Sequence, residues 1–282
     1  MSPGALSARY RTALVTGAST GLGRAFAEML LAEGVEVWGT ARETARLPVR
    51  DKFHPVALEL ADGAAAEKIF LEAARAAGGF DLVVNNAGYG VFGSFAETDF
   101  SVWQKQIELM LVNTARLSHA ALRGMLARRR GALVSISSLA AEFPLPYQAA
   151  YNVVKSGLSA LNESLMLETE GTGVIIIDFR PGDYRTDFEG SVQRPAPVGE
   201  SLLATDPAQK ARLDRVWSAF GRLMASGPAP VHAAESLRRA LLRGRSGTVR
   251  TGRFFQAVLS PLLARLGSLS LRRRILAKYF GL

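Results

Sequence analysis

Tyr151 and Lys155 stand four residues apart in YNVVK, and Tyr151 follows Ser138 by thirteen residues. On a helix that spacing stacks the phenol and the ammonium on one face. A nearby positive charge favours phenolate over phenol, so a tyrosine whose unperturbed pKa is about 10 can be brought toward use as a proton donor and acceptor near neutrality. Lys155 supplies that charge in this reading. The pair by itself also fits an exposed, solvated helix face, and the chemistry needs other elements to place it beside a substrate.

The first such element is TGASTGLG, residues 16–23, which contains Gly17, Ser19, Thr20, Gly21, Leu22 and Gly23. It follows the apolar run Ala13, Leu14, Val15 and precedes the helix-like RAFAEMLLAEG. The three glycines suit a tight turn that brings backbone N–H groups up to a pyrophosphate at a helix N-terminus, with the spacing GxxxGxG rather than GxGxxG. Two further apolar strands end in small or polar residues: DLVV runs into Asn85, Asn86, Ala87 and Gly88, and ALVSIS runs into Ser138. Ligands of open α/β sheets gather outside the carboxyl ends of strands, so these ends are expected to face one crevice.

Strands are expected near 12–16, 35–40, 54–58, 81–85, 132–137 and 173–179, with a short closing strand at about 247–251. Helices are expected near 22–33, 63–77, 98–128 and 150–169. The alternation and the near-continuous apolar strands predict an α/β fold, a doubly wound parallel sheet with helices on both faces. With 282 residues and 48% hydrophobic content the chain can bury a substantial core. Cysteine is absent, and His54, His119 and His232 are scattered, so no metal site is expected. The N-terminal MSPGALSARYR lacks a signal-like apolar core, and no apolar stretch reaches spanning length. A cytoplasmic location is expected, at the inner membrane surface if the tail described below binds lipid.

At this point the chain resembles the short-chain dehydrogenase/reductase family over about residues 10–188. TGASTGLG, NNAG, Asn113, Ser138, YNVVK, and PG followed by Thr186 occur in the family's order and spacing. The resemblance implies a Rossmann-type domain over 1–252, including a substrate lid near 189–230, and hydride transfer between a nicotinamide cofactor and a carbonyl or secondary alcohol. Tyr151 would exchange a proton with the substrate oxygen, Ser138 would hydrogen-bond that oxygen, and Lys155 would lower the tyrosine pKa and hold the nicotinamide ribose. Asn113, mid-helix in LMLVNTARL where an amide competes with the backbone, would loosen the helix and hold a water in a relay to the lysine.

The same resemblance places the cofactor along Gly17, Ser19, Thr20, Gly21, Leu22 and Gly23, along Asn86, Ala87 and Gly88, and along Tyr151 and Lys155. Glu59 and Leu60 stand where relatives place an Asp and an apolar residue beside the adenine. Pro181, Gly182 and Thr186 match the segment that lies along the nicotinamide, although Asp183 replaces the commoner apolar residue. The position of the acid that selects NAD(H) falls on Ala41, followed by Arg42, which suits a 2′-phosphate and favours NADP(H) over NAD(H). Glu43 would reverse this if the strand ended one residue later. Relatives commonly pair through the helices near 98–128 and 150–169, so a homodimer or tetramer is expected. In the lid, Leu202, Leu203, Leu213, Val216, Trp217, Phe220, Leu223 and Met224 could line an apolar pocket or form the buried side of a helix; Leu213, Val216, Trp217, Phe220 and Met224 follow helical spacing, and most of the eight are read as core.

Residues 232–282 hold 11 of the 34 Lys and Arg but only Glu235 of the 25 acidic residues. Within the expected basic amphipathic helical extension, 253–282, Leu271, Ile275, Leu276, Tyr279 and Phe280 can share one helical face, with Arg272, Arg273, Arg274 and Lys278 elsewhere. That helix could contact an anionic membrane peripherally or pack on the protein. No nucleic-acid motif accompanies the charge, so no nucleic-acid partner is expected. The favoured reading is an NADP(H)-dependent oxidoreductase acting on a lipophilic substrate such as a steroid, retinoid or acyl chain. A catalytically silent nucleotide-binding scaffold or redox sensor, and a peripheral membrane or partner-binding protein, are the alternatives.

Overall fold

The computed structural model describes residues 4–199, 201, 205–259, 261–262 and 268–282. Seven parallel strands form the main sheet: β1 Thr12–Val15, β2 Glu36–Ala41, β3 Phe53–Ala57, β4 Leu82–Asn85, β6 Gly131–Ile136, β7 Val174–Pro181 and β9 Gly247–Thr251. Their order across the sheet is β3-β2-β1-β4-β6-β7-β9. The chain winds outward from β1 to β3, then crosses back to place β4 on the other side of β1. That reversal opens a crevice above the carboxyl ends of β1 and β4. A separate two-residue ladder joins β5 (Gly90–Val91) to β8 (Val192–Gln193), and no sequence signal had indicated it.

Alternate strand residues face opposite layers, as a period of two requires. Ala13, Val15, Leu82, Val84, Val134 and Ile177 join one core, with α1 (Gly21–Ala32) and α7 (Pro230–Arg243) above them. Leu14, Val83, Leu133 and Ile176 join the other, beneath α2 (Gly63–Ala76) and α4 (Asn113–Arg128). Within α1, Phe26, Ala27 and Leu30 are buried at helical spacing, which turns its first turn toward the crevice. The remaining α-helices among the described residues are α3 (Phe100–Ile107), α5 (Ala149–Glu168), α6 (Pro207–Ala225) and α8 (Leu269–Phe280).

The single helix expected over 98–128 is instead two α-helices separated by a π-helical turn, Glu108–Val112. Asn113 lies at the end of that turn, 2% exposed, and its Nδ2 donates to the Leu60 carbonyl at 2.8 Å. Gly63 leaves the space it needs, since a Cβ there would come within 2.0 Å of Asn113 Oδ1. The amide thus ties the start of α4 to the segment leading into α2, and the widened turn accommodates the tie.

Within residues 189–230, where a lid was expected, α6 starts at Pro207 with Asp206 accepting from the Ala208 and Gln209 amides. Val216 and Phe220 are buried, and Leu213, Trp217 and Leu223 pack partly buried with Phe92 and Phe280 or beside them. Leu202 and Leu203 lie outside the described residues. The tail turns back onto the protein: α8 contacts α6, and Phe280, 3% exposed, sits among Phe92, Val216 and Ala219. Of the face assigned to it, Ile275, Leu276, Tyr279 and Phe280 are at least partly buried, while Leu271 remains exposed.

Candidate active site

A cavity of about 1120 Å³ lies over the crevice. Gly17, Ser19, Thr20, Gly21, Leu22, Arg42, Glu59, Leu60, Asn86, Ala87, Gly88, Ser138, Tyr151, Lys155, Pro181, Gly182 and Thr186 all reach its wall. Thus residues chosen from segments up to 169 positions apart converge on one hollow. Two of the expected residues do not reach it. Gly23 lies behind the glycine turn, where a Cβ would meet the Gly17 carbonyl oxygen at 2.2 Å and Asn86 Nδ2 at 2.4 Å. Its lack of a side chain lets α1 close on the turn. Asn113 is turned toward Leu60 as described, so its amide is not presented to the cavity.

The turn after β1 holds Gly17 at φ +67°, a conformation that a side chain would strain. Thr20 stands at the N-cap of α1 without a side-chain cap bond, and the first helical turn carries no acidic residue. Its leading N–H groups therefore remain available to an anionic group, which the macrodipole also favours. Thr16, which had drawn no attention in the sequence, stitches the two sides of the crevice: its Oγ1 accepts from Asn86 N at 2.9 Å and Ala87 N at 3.0 Å. Asn86 Nδ2 returns a bond to the Thr16 carbonyl at 2.9 Å. These residues fit a dinucleotide pyrophosphate.

At the edge of the cavity β2 ends at Ala41, and both Arg42 and Arg46 line the wall whereas Glu43 does not. Arg46 comes from a short 3-10 turn after the strand, a placement with no sequence signature. Glu59 faces the cavity, with its Oε1 accepting from Ala61 N at 3.0 Å.

Opposite the glycine turn, α5 carries Tyr151 and Lys155 on one face. Lys155 is 6% exposed, donates to the Ile136 carbonyl at 2.7 Å, and holds its ammonium 5.4 Å from the Tyr151 ring centre. Burial brings its pKa down to about 8, against the opposing pull of the Asp178 carboxylate. Tyr151 departs from expectation. Burial pushes its phenol up to about 12, the hydrogen bond with Ser138 pulls the other way, and the Asp183 charge adds to the rise. Desolvation of the phenolate outweighs the ammonium, which is directed to a backbone carbonyl. At neutral pH Tyr151 is therefore a protonated donor.

Supporting contacts hold this arrangement. Asn152 clamps the loop after Ser138 by accepting from Leu145 N at 2.9 Å and donating to its carbonyl at 2.8 Å. Beneath Lys155, fully buried Asp178 accepts from the Ser137 hydroxyl and from Arg180 Nε at 2.6 Å. Arg180 also pairs with Glu142 and, at 3.0 Å, with Glu163. The substituted position Asp183 lies on the cavity wall, bonded to Gln256 Nε2 and, at 3.0 Å, to the Tyr279 hydroxyl. Burial raises its carboxyl pKa, partly offset by those two hydrogen bonds. The tail therefore forms part of the cavity, and Phe220, Met224, Ile275 and Leu276 give this end an apolar lining.

Comparison with known proteins agrees with this geometry. The short chain dehydrogenase family model matches residues 11–196. An uncharacterized oxidoreductase of Myxococcus xanthus is 36% identical over 67% of this chain and 78% of its own length. The 3-oxoacyl-(acyl-carrier-protein) reductase of Escherichia coli is 32% identical over 70% of this chain and 82% of its own. A short chain dehydrogenase of Pseudocercospora fijiensis is 34% identical, and the match spans 61% of that protein. Among solved structures, a short-chain dehydrogenase from Streptomyces avermitilis superposes with a TM-score of 0.76 at 28% identity, covering 94% of this chain and 97% of that one. A glycine turn at the switch point, a serine, tyrosine and lysine gathered across from it, and this likeness along most of the chain lead to one conclusion: the chain belongs to the short-chain dehydrogenase family and is an oxidoreductase that uses a nicotinamide cofactor.

Proposed function

We propose that the protein is an NADP(H)-dependent oxidoreductase that interconverts a carbonyl and a secondary alcohol on a lipophilic substrate. The observation carrying this reading is the meeting of the Ser138 hydroxyl and the Tyr151 phenol at the wall of a cavity whose one end suits a dinucleotide and whose other end is apolar. When bound, the reduced nicotinamide supplies the hydride. Tyr151 gives its proton to the carbonyl oxygen, and Ser138 holds that oxygen in place. Lys155 stands beside the tyrosine ring as the cation that favours the charge Tyr151 acquires, and it is available to ribose hydroxyls. In the reverse direction the phenolate removes the proton from the alcohol. Asn113 supports the site through the π-helical turn and its bond to Leu60 rather than through its side chain at the cavity.

The preference for NADP(H) rests on Arg42 and Arg46 on the wall after β2, with no acid at the strand end. A lipophilic substrate is supported by Phe143, Leu145, Phe188, Phe220, Met224 and Leu276 around the cavity. Residues 1–252 are assigned to the catalytic domain and 253–282 to an extension that completes its substrate end. The decisive experiment is Tyr151→Phe with a panel of apolar ketones, following reduced-cofactor absorbance. Turnover should fall by about 10²-fold or more while cofactor binding persists; activity above a few per cent removes Tyr151 from the mechanism.

A second, compatible reading concerns the surface. Phe254, Val258, Leu262, Leu269 and Leu271 are exposed, as are Arg273 and Arg274 on α8, which supports peripheral contact of the tail with an anionic bilayer. No helix among the described residues is long and apolar enough to cross a membrane. On the helices through which relatives pair, Phe100, Val153 and Leu167 are also exposed, which supports self-association. Light scattering should give a dimer or tetramer, and flotation should recover the protein with phosphatidylserine vesicles but not neutral ones. A monomer, or equal recovery from both vesicles, sinks the corresponding assignment.

A further inference from the structure

We infer that Arg272 on α8 is a specificity-determining cation of the substrate cavity, receiving a carboxylate or similar anionic group at the far end of an otherwise apolar substrate. The inference deepens the carbonyl–alcohol reading above and rests on it for the identity of the reacting end.

The placement of α8 comes from its C-terminal turn. The Tyr279 hydroxyl donates to Asp183 Oδ2 at 3.0 Å, and Gln256 Nε2 bonds both that carboxylate and, at 2.9 Å, the Tyr279 oxygen. Phe280 is buried beside it. Asp183 follows the Pro181–Gly182 turn and its charge acts on Tyr151, so this end of α8 is anchored next to the reacting groups. Along the same helical face, Leu276, Ile275 and Arg272 precede Tyr279 by three, four and seven residues, and all reach the cavity wall. At 1.5 Å per residue, Arg272 stands about 10 Å along the axis from Tyr279. Between them the wall of α8 is apolar.

Arg272 differs from its neighbours. Arg273, Arg274 and Lys278 are exposed and do not line the cavity, whereas Arg272 is half-buried. Its Nε has no contact with solvent and no hydrogen-bond partner, and no acidic side chain pairs with it among the described residues. Asp183, at the other end of α8, is engaged by Tyr279 and Gln256. A buried donor left unmet is rare in native proteins. The planar fork of a guanidinium matches a carboxylate, and in a partly desolvated apolar hollow such a bond is charge-assisted. A substrate that stretched from Ser138 and Tyr151 along this face would bring its distal end to Arg272.

The test compares decanoate with decan-1-ol, two probes of one chain length, for binding to the protein saturated with NADP⁺, measured by calorimetry. The wild type should bind decanoate about tenfold more tightly. Arg272→Gln should abolish the preference by weakening decanoate alone, Arg272→Lys should restore part of it, and the Kd for NADP⁺ should change by less than about twofold. In turnover, a long-chain oxo-acid should lose its advantage over its methyl ester in Arg272→Gln through KM, with kcat on a neutral ketone retained. Equal affinity of the wild type for both probes overturns the inference, as does equal weakening of both in Arg272→Gln. A rise in the Kd for NADP⁺ with the probe ratio unchanged overturns it too, assigning the cation to a cofactor phosphate. If no ketone is turned over but the decanoate preference follows Arg272, the anion-binding role stands and the carbonyl–alcohol reading falls.

Discussion

Removing the guanidiniums after β2 should convert the proposed cofactor preference into a measurable loss. Arg42 and Arg46 both line the cavity and both are exposed. A unit charge pair at about 4 Å is worth about 1 kcal/mol in bulk water and about 4 kcal/mol at the effective dielectric of a protein surface. Exposure on this wall places each arginine toward the lower limit, at about 1–2 kcal/mol against a 2′-phosphate. Since 1.4 kcal/mol is a factor of ten, Arg42→Ala and Arg46→Ala should each lower kcat/KM for NADPH by about 5–30-fold and change that for NADH little. Because the two would share one phosphate, the double variant is expected to fall short of the product of the single effects. The assay is initial-rate reduction of one ketone with either cofactor, repeated in 0.1 M and 1 M salt. The Debye length shrinks from about 10 Å to about 3 Å across that range, so the wild-type preference should narrow as salt rises. Equal losses with NADPH and NADH, or a preference indifferent to salt, would refute the assignment of these two residues to the phosphate.

Two other perturbations address the chemistry and the framework beneath it. Reduction of an uncharged ketone should lose kcat/KM as pH rises through about 8, because the buried Lys155 ammonium is present below that pKa and deprotonates above it, while Tyr151 stays protonated to about 12; a profile flat to pH 10 contradicts this. Arg180→Ala leaves Asp178 buried without its paired guanidinium and should cost about 3–5 kcal/mol in denaturant unfolding; a loss below about 1 kcal/mol would mean that the hydrogen bonds Asp178 accepts from the Ser137 hydroxyl and, at 3.4 Å, from Asn162 Nδ2 suffice.

Much of the site was legible because its parts sit where local rules are strong. Apolar strands ending in glycine, asparagine or serine declare both their direction and their ligand-facing ends, and a helical pair at i and i+4 shares a face. The positions that escaped depend on neighbours distant in the chain. The π-helical turn before Asn113 reflects a bond to Leu60, 53 residues away. Arg46 enters the cavity through a short turn whose direction no periodicity encodes. The expected depression of the Tyr151 pKa considered the nearby lysine but not burial, which only packing reveals.

The tail shows the division most clearly. Its helical spacing and positive charge could be read directly, and they were compatible with either a bilayer or the protein itself. What seats one of its faces on the protein is the bond between Tyr279 and Asp183, residues 96 positions apart, together with the burial of Phe280 against α6, while Leu271, Arg273 and Arg274 stay exposed. The amino-acid order by itself determined the nucleotide-binding α/β frame and the Ser138, Tyr151 and Lys155 set, because periodicity, turn chemistry and motif spacing are local properties of a chain. Only the tertiary structure decided that α8 lines one end of the cavity and that Tyr151 is held as a phenol, because desolvation and contacts between remote side chains arise from the packed arrangement.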